Sequence, residues 1–159
     1  KEAGFEHYEI SNWAKPGHAC HHNVHVWHNL PYLGFGAGAH GYAAHTRTVN
    51  TLLPATYITR IMTDHVPRPF PLSAATEDVV FLTQPDVIAE TMIMGLRLVQ
   101  KGVSPSGFAA RFGVNLNDVY GDAIERLIAL ELLERTSQNN LRLTQRGRLL
   151  GNQVFAEFI

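Results

Sequence analysis

The side chains most able to do chemistry lie close together in the first third of the sequence. Eight of the nine histidines fall between His7 and His45, and the single cysteine, Cys20, lies among them. Five of these histidines are spaced mainly three or four residues apart: His18, His21, His22, His25 and His28. On a helix such spacings place side chains on one face, where imidazoles can bind a metal ion.

Two kinds of metal site, and one alternative without a metal, fit this histidine pattern. A structural zinc ion needs a closed set of four ligands. Heme needs only one or two axial ligands beside apolar, aromatic walls, and His22 or Cys20 near Trp13 and Trp27 fits that requirement better. The alternative is that Pro16 and Gly17 prevent a regular helix and that the imidazoles are simply solvated.

A glycine run follows the histidines, with glycine at positions 34, 36 and 38. Alternating glycines let a backbone approach a flat group closely, as in nucleotide-binding loops. A dinucleotide-binding fingerprint, however, requires a helix immediately afterwards, and none is predicted here. A tight strand or a bulge is therefore the preferred interpretation of the run by itself.

Several elements must position these residues. Alternating side chains predict a strand at 7–13, and the segment 18–30 is expected to be a loop with at most one helical turn. A second short strand and turn is predicted at 31–43, and a helical stripe at 50–64. An extended, proline-rich segment at 66–71 then marks the best candidate for a linker.

The remainder of the chain is predicted to be mostly helical. Amphipathic patterns and capping residues predict three helices, at 85–101, 105–112 and 117–134. A hairpin of two short strands, at 133–136 and 141–143, and a last helix from 144 to about 158 follow. This order is typical of a winged-helix domain. Because the helix 117–134 carries five acidic side chains and one arginine, it would repel phosphates, and an accessory packing domain is favoured over DNA recognition.

The overall composition excludes several classes of protein. The chain has 159 residues, 45% of them hydrophobic, and a net charge of −1, so it can form a core and lacks the basic excess of a nucleic-acid binder. No apolar run approaches the roughly 20 residues that span a bilayer. A single cysteine indicates a reducing compartment, and a cytoplasmic location is expected.

Three segments of the sequence resemble a known family: YEISNWAKPG at 8–17, CHHN at 20–23 and YLGFGAGAH at 32–40. They are similar to the oxygen-independent coproporphyrinogen III oxidase family of radical S-adenosylmethionine proteins, and more closely to its heme-chaperone branch. The branch signature His-Asn-x-x-Tyr-Trp stands here at 22–27, with Val26 in place of the tyrosine. The oxidase branch has an Asp-His pair where this chain has the sequence Ser-Asn-Trp-Ala at 11–14.

The resemblance implies an α+β fold and a division of the chain. The C-terminal strands of a partial (β/α) barrel would occupy residues 1–66, a linker 67–85, and a mostly helical, winged-helix-like domain 86–159. The chain would then be the C-terminal piece of a longer protein. Exposed strand edges would favour a homodimer.

The resemblance also implies cofactors. Heme would be held by His22, Asn23 and Trp27, with His22 as the leading axial ligand and Cys20 as the second. The backbone at Gly36 and Ala37 would contact S-adenosylmethionine. The family's [4Fe–4S] cluster needs a Cys-x-x-x-Cys-x-Cys motif, which one cysteine cannot form, so this piece is expected to be inactive alone.

Three functions remain open. The first is heme binding and delivery by the parent protein. The second is oxidative decarboxylation of coproporphyrinogen III to protoporphyrinogen IX, and the third is a winged-helix binding module without a cofactor. A heme titration separates the first from the third, and turnover of coproporphyrinogen separates the first from the second.

Overall fold

The computed structural model describes residues 3–159 and has a mixed α+β fold, which confirms the predicted fold class. The first two residues of the expected barrel edge, Lys1 and Glu2, lie outside the described residues. The chain forms two compact units. One consists of residues 3–29 together with 88–159, and the other of residues 30–87.

The first unit begins with a hairpin and a short helix. Strands β1 (Glu6–Glu9) and β2 (Asn12–Ala14) pair antiparallel, and helix α1 (His21–Trp27) follows. The predicted strand at 7–13 is therefore two strands. The expected loop at 18–30 contains a helix of about two turns.

The second unit contains a three-stranded antiparallel sheet and one helix. Strands β3 (His40–Ala43) and β4 (Thr46–Asn50) are followed by helix α2 (Pro54–Thr63) and strand β5 (Thr76–Phe81), and the sheet order is β3-β4-β5. Strands β4 and β5 were not predicted, and β5 lies within the expected linker. Most side chains of β5 are exposed, so the strand has no buried alternation that a sequence pattern could reveal.

The helical part of the first unit follows the predicted order with different boundaries. Its elements are α3 (Gln84–Leu96), which begins in the second unit, α4 (Pro105–Phe112), α5 (Leu116–Ala129), β6 (Leu133–Arg135), β7 (Leu141–Leu143), α6 (Gln145–Leu149), α7 (Gly151–Phe155) and a 3-10 turn (Ala156–Phe158).

Backbone conformation explains two of the corrected boundaries. Helix α5 ends five residues before the predicted Glu134, because Glu131 adopts a left-handed φ of 57° and turns the chain into β6. The predicted last helix is interrupted at Leu150, whose φ of −112° and ψ of 24° separate α6 from α7.

The predicted helix caps are present. The Ser104 hydroxyl accepts a hydrogen bond from the Gly107 amide at 3.2 Å, and Pro105 is the first residue of α4. The Thr144 hydroxyl accepts one from the Gly147 amide at 2.9 Å. Gly113 ends α4 with a left-handed φ of 73°. These caps satisfy backbone groups that a helix end otherwise leaves unpaired.

One hydrophobic core holds the first unit together. Its fully buried side chains include Met92, Leu96, Ile124, Leu141 and Phe158. The hairpin joins this core, because Ile10 packs against it and its amide donates to the Arg97 carbonyl at 3.1 Å. The hairpin therefore belongs to the same unit as the C-terminal helices.

No helix between residues 3 and 159 has the length and apolar character that a membrane crossing requires. The barrel, linker and winged-helix assignments and the domain boundaries at 66 and 86 stay predictions.

Candidate functional site

Helix α1 places four of the predicted site residues. It begins after Cys20, whose backbone is extended and whose carbonyl accepts from the Val24 amide at 3.0 Å. Pro16 and Gly17 lie upstream of the first turn and so do not interrupt the helix. The alternative that they would prevent a regular helix here is therefore wrong.

The helix places the predicted heme-binding residues on different faces. Asn23 and Trp27 are four residues apart and share one face, which is partly buried. His22 and Trp27 are five residues apart, which places their side chains about 140° apart around the axis. The structure therefore does not bring Trp27 beside His22 on one face.

The partly buried face of α1 anchors the helix. The Asn23 side-chain amide donates to the Tyr8 hydroxyl at 3.3 Å, and the Arg97 guanidinium lies over the Trp27 ring at 4.2 Å from its centroid. Asn23 and Trp27 thus fix the position of the helix. The Trp27 indole N–H, at the end of the helix, is a buried donor without an acceptor in the described part of the chain.

Two further side chains at α1 carry donor atoms for a ligand: His22, on a different face from Trp27, and Cys20, which precedes the first helical residue. Cys20 and His22 are both exposed. Within residues 3–159, no three histidine, cysteine, aspartate or glutamate side chains come close enough together to hold a metal ion. Exposed donors that do not belong to such a group of three suit a cofactor that needs one or two axial ligands rather than a closed tetrahedral site.

One histidine just after the helix has a perturbed acidity. Partial burial lowers the pKa of His28, and the positive charges of Lys101, His25 and Arg111 lower it further. Arg111 also donates to the His28 carbonyl at 3.0 Å and to the Asn29 carbonyl at 2.7 Å. The end of α1 is therefore bound to α4 through backbone acceptors, with His28 favoured in its neutral form.

The glycine run lies in the second unit and is held by side chains around it. The Asn50 amide donates to the carbonyls of Gly34 and Gly36 at 3.1 and 3.0 Å, and the Gly36 amide donates to the Tyr57 hydroxyl at 3.1 Å. A Cβ at Gly34 would lie 2.2 Å from the His40 carbonyl oxygen. Close packing against β3 therefore explains the glycine at position 34.

Gly36 and Ala37 remain open to a ligand. Gly36 has a φ of 104°, which disfavours any side chain, yet nothing lies within 4 Å of where its Cβ would be. Ala37 is exposed. The adjacent cavity of about 210 Å³ is lined by Gly34 and Phe35 but not by Gly36 or Ala37.

Sequence reasoning missed the charged residues beside α1. Glu9 is fully buried; its carboxylate accepts from the Ser11 amide at 2.9 Å and from the Asn12 side chain, and lies 3.5 Å from Arg97 Nη2. Glu9 lies in a short hairpin strand and Arg97 just after a helix. No sequence motif joins them, so only the folded chain reveals the pair.

Comparison with known proteins defines the class of this chain. Residues 82–150 match the HemN C-terminal domain family. The fold is similar to that of coproporphyrinogen III oxidase (HemN) from Escherichia coli, a radical SAM enzyme, with a TM-score of 0.67 and 15% identity over 99% of this chain and 37% of that one.

Curated relatives give the family. The heme chaperone HemW of Bacillus subtilis is 39% identical over 156 residues, and that of Lactococcus lactis is 35% identical over 156 residues. Each match covers 98% of this chain, which spans 38% of the length of either relative. The chain belongs to the HemN/HemW family of radical S-adenosylmethionine proteins.

Proposed function

We propose that the full-length protein binds heme and delivers it to a recipient, with α1 as the heme-binding element. The observation that carries the proposal is that Asn23 and Trp27 anchor α1 while the side chains of His22 and Cys20 stay exposed. The relatives named heme chaperones support it, because they match 98% of the chain, including this helix.

Heme is cargo in this proposal, and an exposed ligand suits cargo that must leave again. His22 is the leading axial ligand, since a neutral imidazole is a strong donor to heme iron, and the Cys20 thiolate is the second candidate. Asn23 and Trp27 hold the helix in place, and Trp27 acts through its anchoring contact with Arg97 rather than as a ring beside His22.

The glycine run has a separate proposed role. Gly36 and Ala37 would contact the nucleoside of S-adenosylmethionine through their backbone, because no side chain occupies the space beside Gly36. The [4Fe–4S] cluster must be held by cysteines elsewhere in the full-length protein, as this chain has one. We further propose the barrel-edge and winged-helix assignments, and a cytoplasmic location consistent with the lone cysteine.

Replacement of His22 with Ala in the full-length protein tests the proposal. Loss of heme affinity and a shifted Soret band are expected for His22→Ala, and a smaller change for Cys20→Ser. His21→Ala, an exposed neighbour on the same helix, should behave like the parent. An unchanged spectrum and affinity in His22→Ala would remove His22 from the site, and if Cys20→Ser were also unchanged α1 would not bind heme.

The second candidate is oxidation of coproporphyrinogen III, favoured by membership of the same family as coproporphyrinogen III oxidase. Anaerobic incubation of the reconstituted full-length protein with coproporphyrinogen III and S-adenosylmethionine decides between the two. Conversion to protoporphyrinogen IX would establish the oxidase, whereas stable heme binding without conversion supports the chaperone.

A further inference from the structure

A cleft on the first unit lies outside the two sites proposed so far. It has a volume of about 320 Å³ and separates the end of α3 and the hairpin from the last helices. Its lining residues include Ile10, Leu149, Leu150 and Phe155, which are apolar, and two arginines, Arg97 and Arg148. Apolar walls with a few convergent polar groups are typical of a site for an organic ligand.

Arg148 enters this cleft with most of its hydrogen-bonding capacity unused. Its Nη2 donates to the Val99 carbonyl at 3.3 Å, while its Nε is buried and has no acceptor among the described residues. No ion pair to Arg148 is found within residues 3–159, and none of the described residues lining the cleft is acidic. A partly buried guanidinium without a counter-charge favours an anionic ligand.

Arg97 faces the same cleft but is already paired. Its Nη2 lies 3.5 Å from the Glu9 carboxylate and donates to the Ser11 hydroxyl at 3.3 Å. Its guanidinium also lies over the Trp27 ring, so one residue both lines the cleft and contacts helix α1. Arg97 therefore positions the cleft next to α1, and Arg148 supplies the uncompensated charge.

A second cavity of about 420 Å³ also has Arg148 in its wall. Its lining includes one acidic side chain, Glu6, a second arginine, Arg142, and the rings of His7 and Trp13, which stack with centroids 4.2 Å apart at 7°. Arg148 thus has apolar side chains on the side of the cleft and a flat aromatic pair in the other cavity. This arrangement suits a carboxylate carried by a large, flat, apolar body.

We propose that Arg148 binds a propionate carboxylate of a tetrapyrrole, with the apolar residues of the cleft against the adjoining edge of the ring. The proposal rests on the proposed function, since heme is the ligand that carries these carboxylates. An arginine fork matches a carboxylate with two parallel hydrogen bonds, which fixes orientation as well as adding affinity.

Fluorescence titration of the full-length protein with metal-free protoporphyrin IX and with its dimethyl ester tests this proposal. The free acid and the ester differ only in the carboxylates, and neither contains iron, so axial ligation plays no part. The parent should prefer the free acid by about tenfold or more, because hydrogen bonds to charged groups are strong. Arg148→Met should abolish the preference, and Arg148→Lys should keep part of it.

Arg146→Met is the matched control, because Arg146 is exposed on the same helix and does not line the cleft. It should retain the full preference, and circular dichroism should show native helix content in all three variants. If Arg148→Met loses native helix content, Arg148→Lys becomes the deciding variant. A preference of Arg148→Lys for the free acid as large as that of the parent would reject the fork geometry.

The outcomes separate this proposal from the axial-ligand proposal. Equal binding of acid and ester by the parent, or no porphyrin binding at all, would overturn the carboxylate site. If His22→Ala kept the preference for the free acid and its heme spectrum were unchanged, the carboxylate site would stand and His22 would be rejected as the axial ligand.

Discussion

The Arg97 guanidinium lies over the Trp27 indole, with its central carbon 4.2 Å from the ring centroid, and joins helix α1 to the end of α3. The same side chain lies 3.5 Å from the buried Glu9 carboxylate. One arginine therefore holds the hairpin and α1 against the helical core. The position of the proposed heme ligands depends on this contact, although Arg97 itself ligates nothing.

Replacement of Arg97 with Met should destabilise the first unit. The Glu9 carboxylate would stay buried without a cation but would keep two hydrogen bonds, so we expect a loss of about 1–3 kcal/mol in the free energy of unfolding. Urea denaturation measures the loss. The double variant Glu9→Gln/Arg97→Met should recover part of it, and the absence of any recovery would show that the ion pair contributes nothing.

The stability of the first unit should fall in mild acid because of His28. Folding lowers the pKa of His28 below 6.5, so the unfolded chain binds a proton more readily than the folded chain does. This contribution is complete above about pH 6.5 and is lost as the pH falls toward the folded pKa. Denaturation at about pH 7.5 and about pH 5.5 should show a smaller difference in His28→Gln than in the parent.

Lys101→Gln provides the intermediate case. It removes one of the charges that lower the pKa of His28 but leaves the burial, which is the larger cause. The acid-induced loss should therefore shrink without disappearing. A loss in His28→Gln as large as that of the parent would exclude His28 as its source.

Two helical glycines should respond to alanine in opposite ways. A Cβ at Gly147 would lie 2.0 Å from the Leu132 carbonyl oxygen, so Gly147→Ala should destabilise by about 2 kcal/mol or more. Nothing lies within 4 Å of a Cβ at Gly121, so Gly121→Ala should stabilise α5 by about 0.5–1 kcal/mol. Thermal unfolding compares the two: a stabilised Gly147→Ala would contradict the close packing at Gly147, and a destabilised Gly121→Ala would contradict the open space at Gly121.

Substitution at Ala37 tests the proposed nucleoside contact. In the reconstituted full-length protein, Ala37→Ile should abolish binding of S-adenosylmethionine, because the branched side chain would fill the space beside the backbone. Calorimetry measures the affinity, with Ala55→Ile, at an exposed position on α2, as the control. Equal affinity in Ala37→Ile and the parent would leave the glycine run a purely structural segment.

Local signals made the helical half of the fold predictable. Ser104, Gly113 and Thr144 mark helix ends through bonds to near neighbours, and the structure confirms all three. Strands β4 and β5 escaped prediction because they are stabilised by pairing with each other across 25 or more intervening residues, with Asn50 opposite Thr76, for example. Such pairing leaves little trace in the local pattern.

The candidate site was predictable only in part. The signature at 22–27 located the segment that carries His22, but the helix that turns His22 away from Trp27 depends on the anchors Tyr8 and Arg97, which are distant in sequence. Arg148 was not singled out at all. Its missing counter-charge is a property of the folded surroundings, which no residue pattern records.

A hydrogen bond between Asn29 and Thr91 connects the two chain segments of the first unit. The Asn29 side chain donates to the Thr91 hydroxyl at 3.1 Å, so the point where the chain leaves the first unit is fastened to the point where it returns. Residues 30–87 thus form an insertion within the first unit. The two segments of that unit, 3–29 and 88–159, contact each other directly. A single proteolytic cut in the exposed stretch 66–70 would leave two polypeptides that migrate together under native conditions and separate only in denaturant.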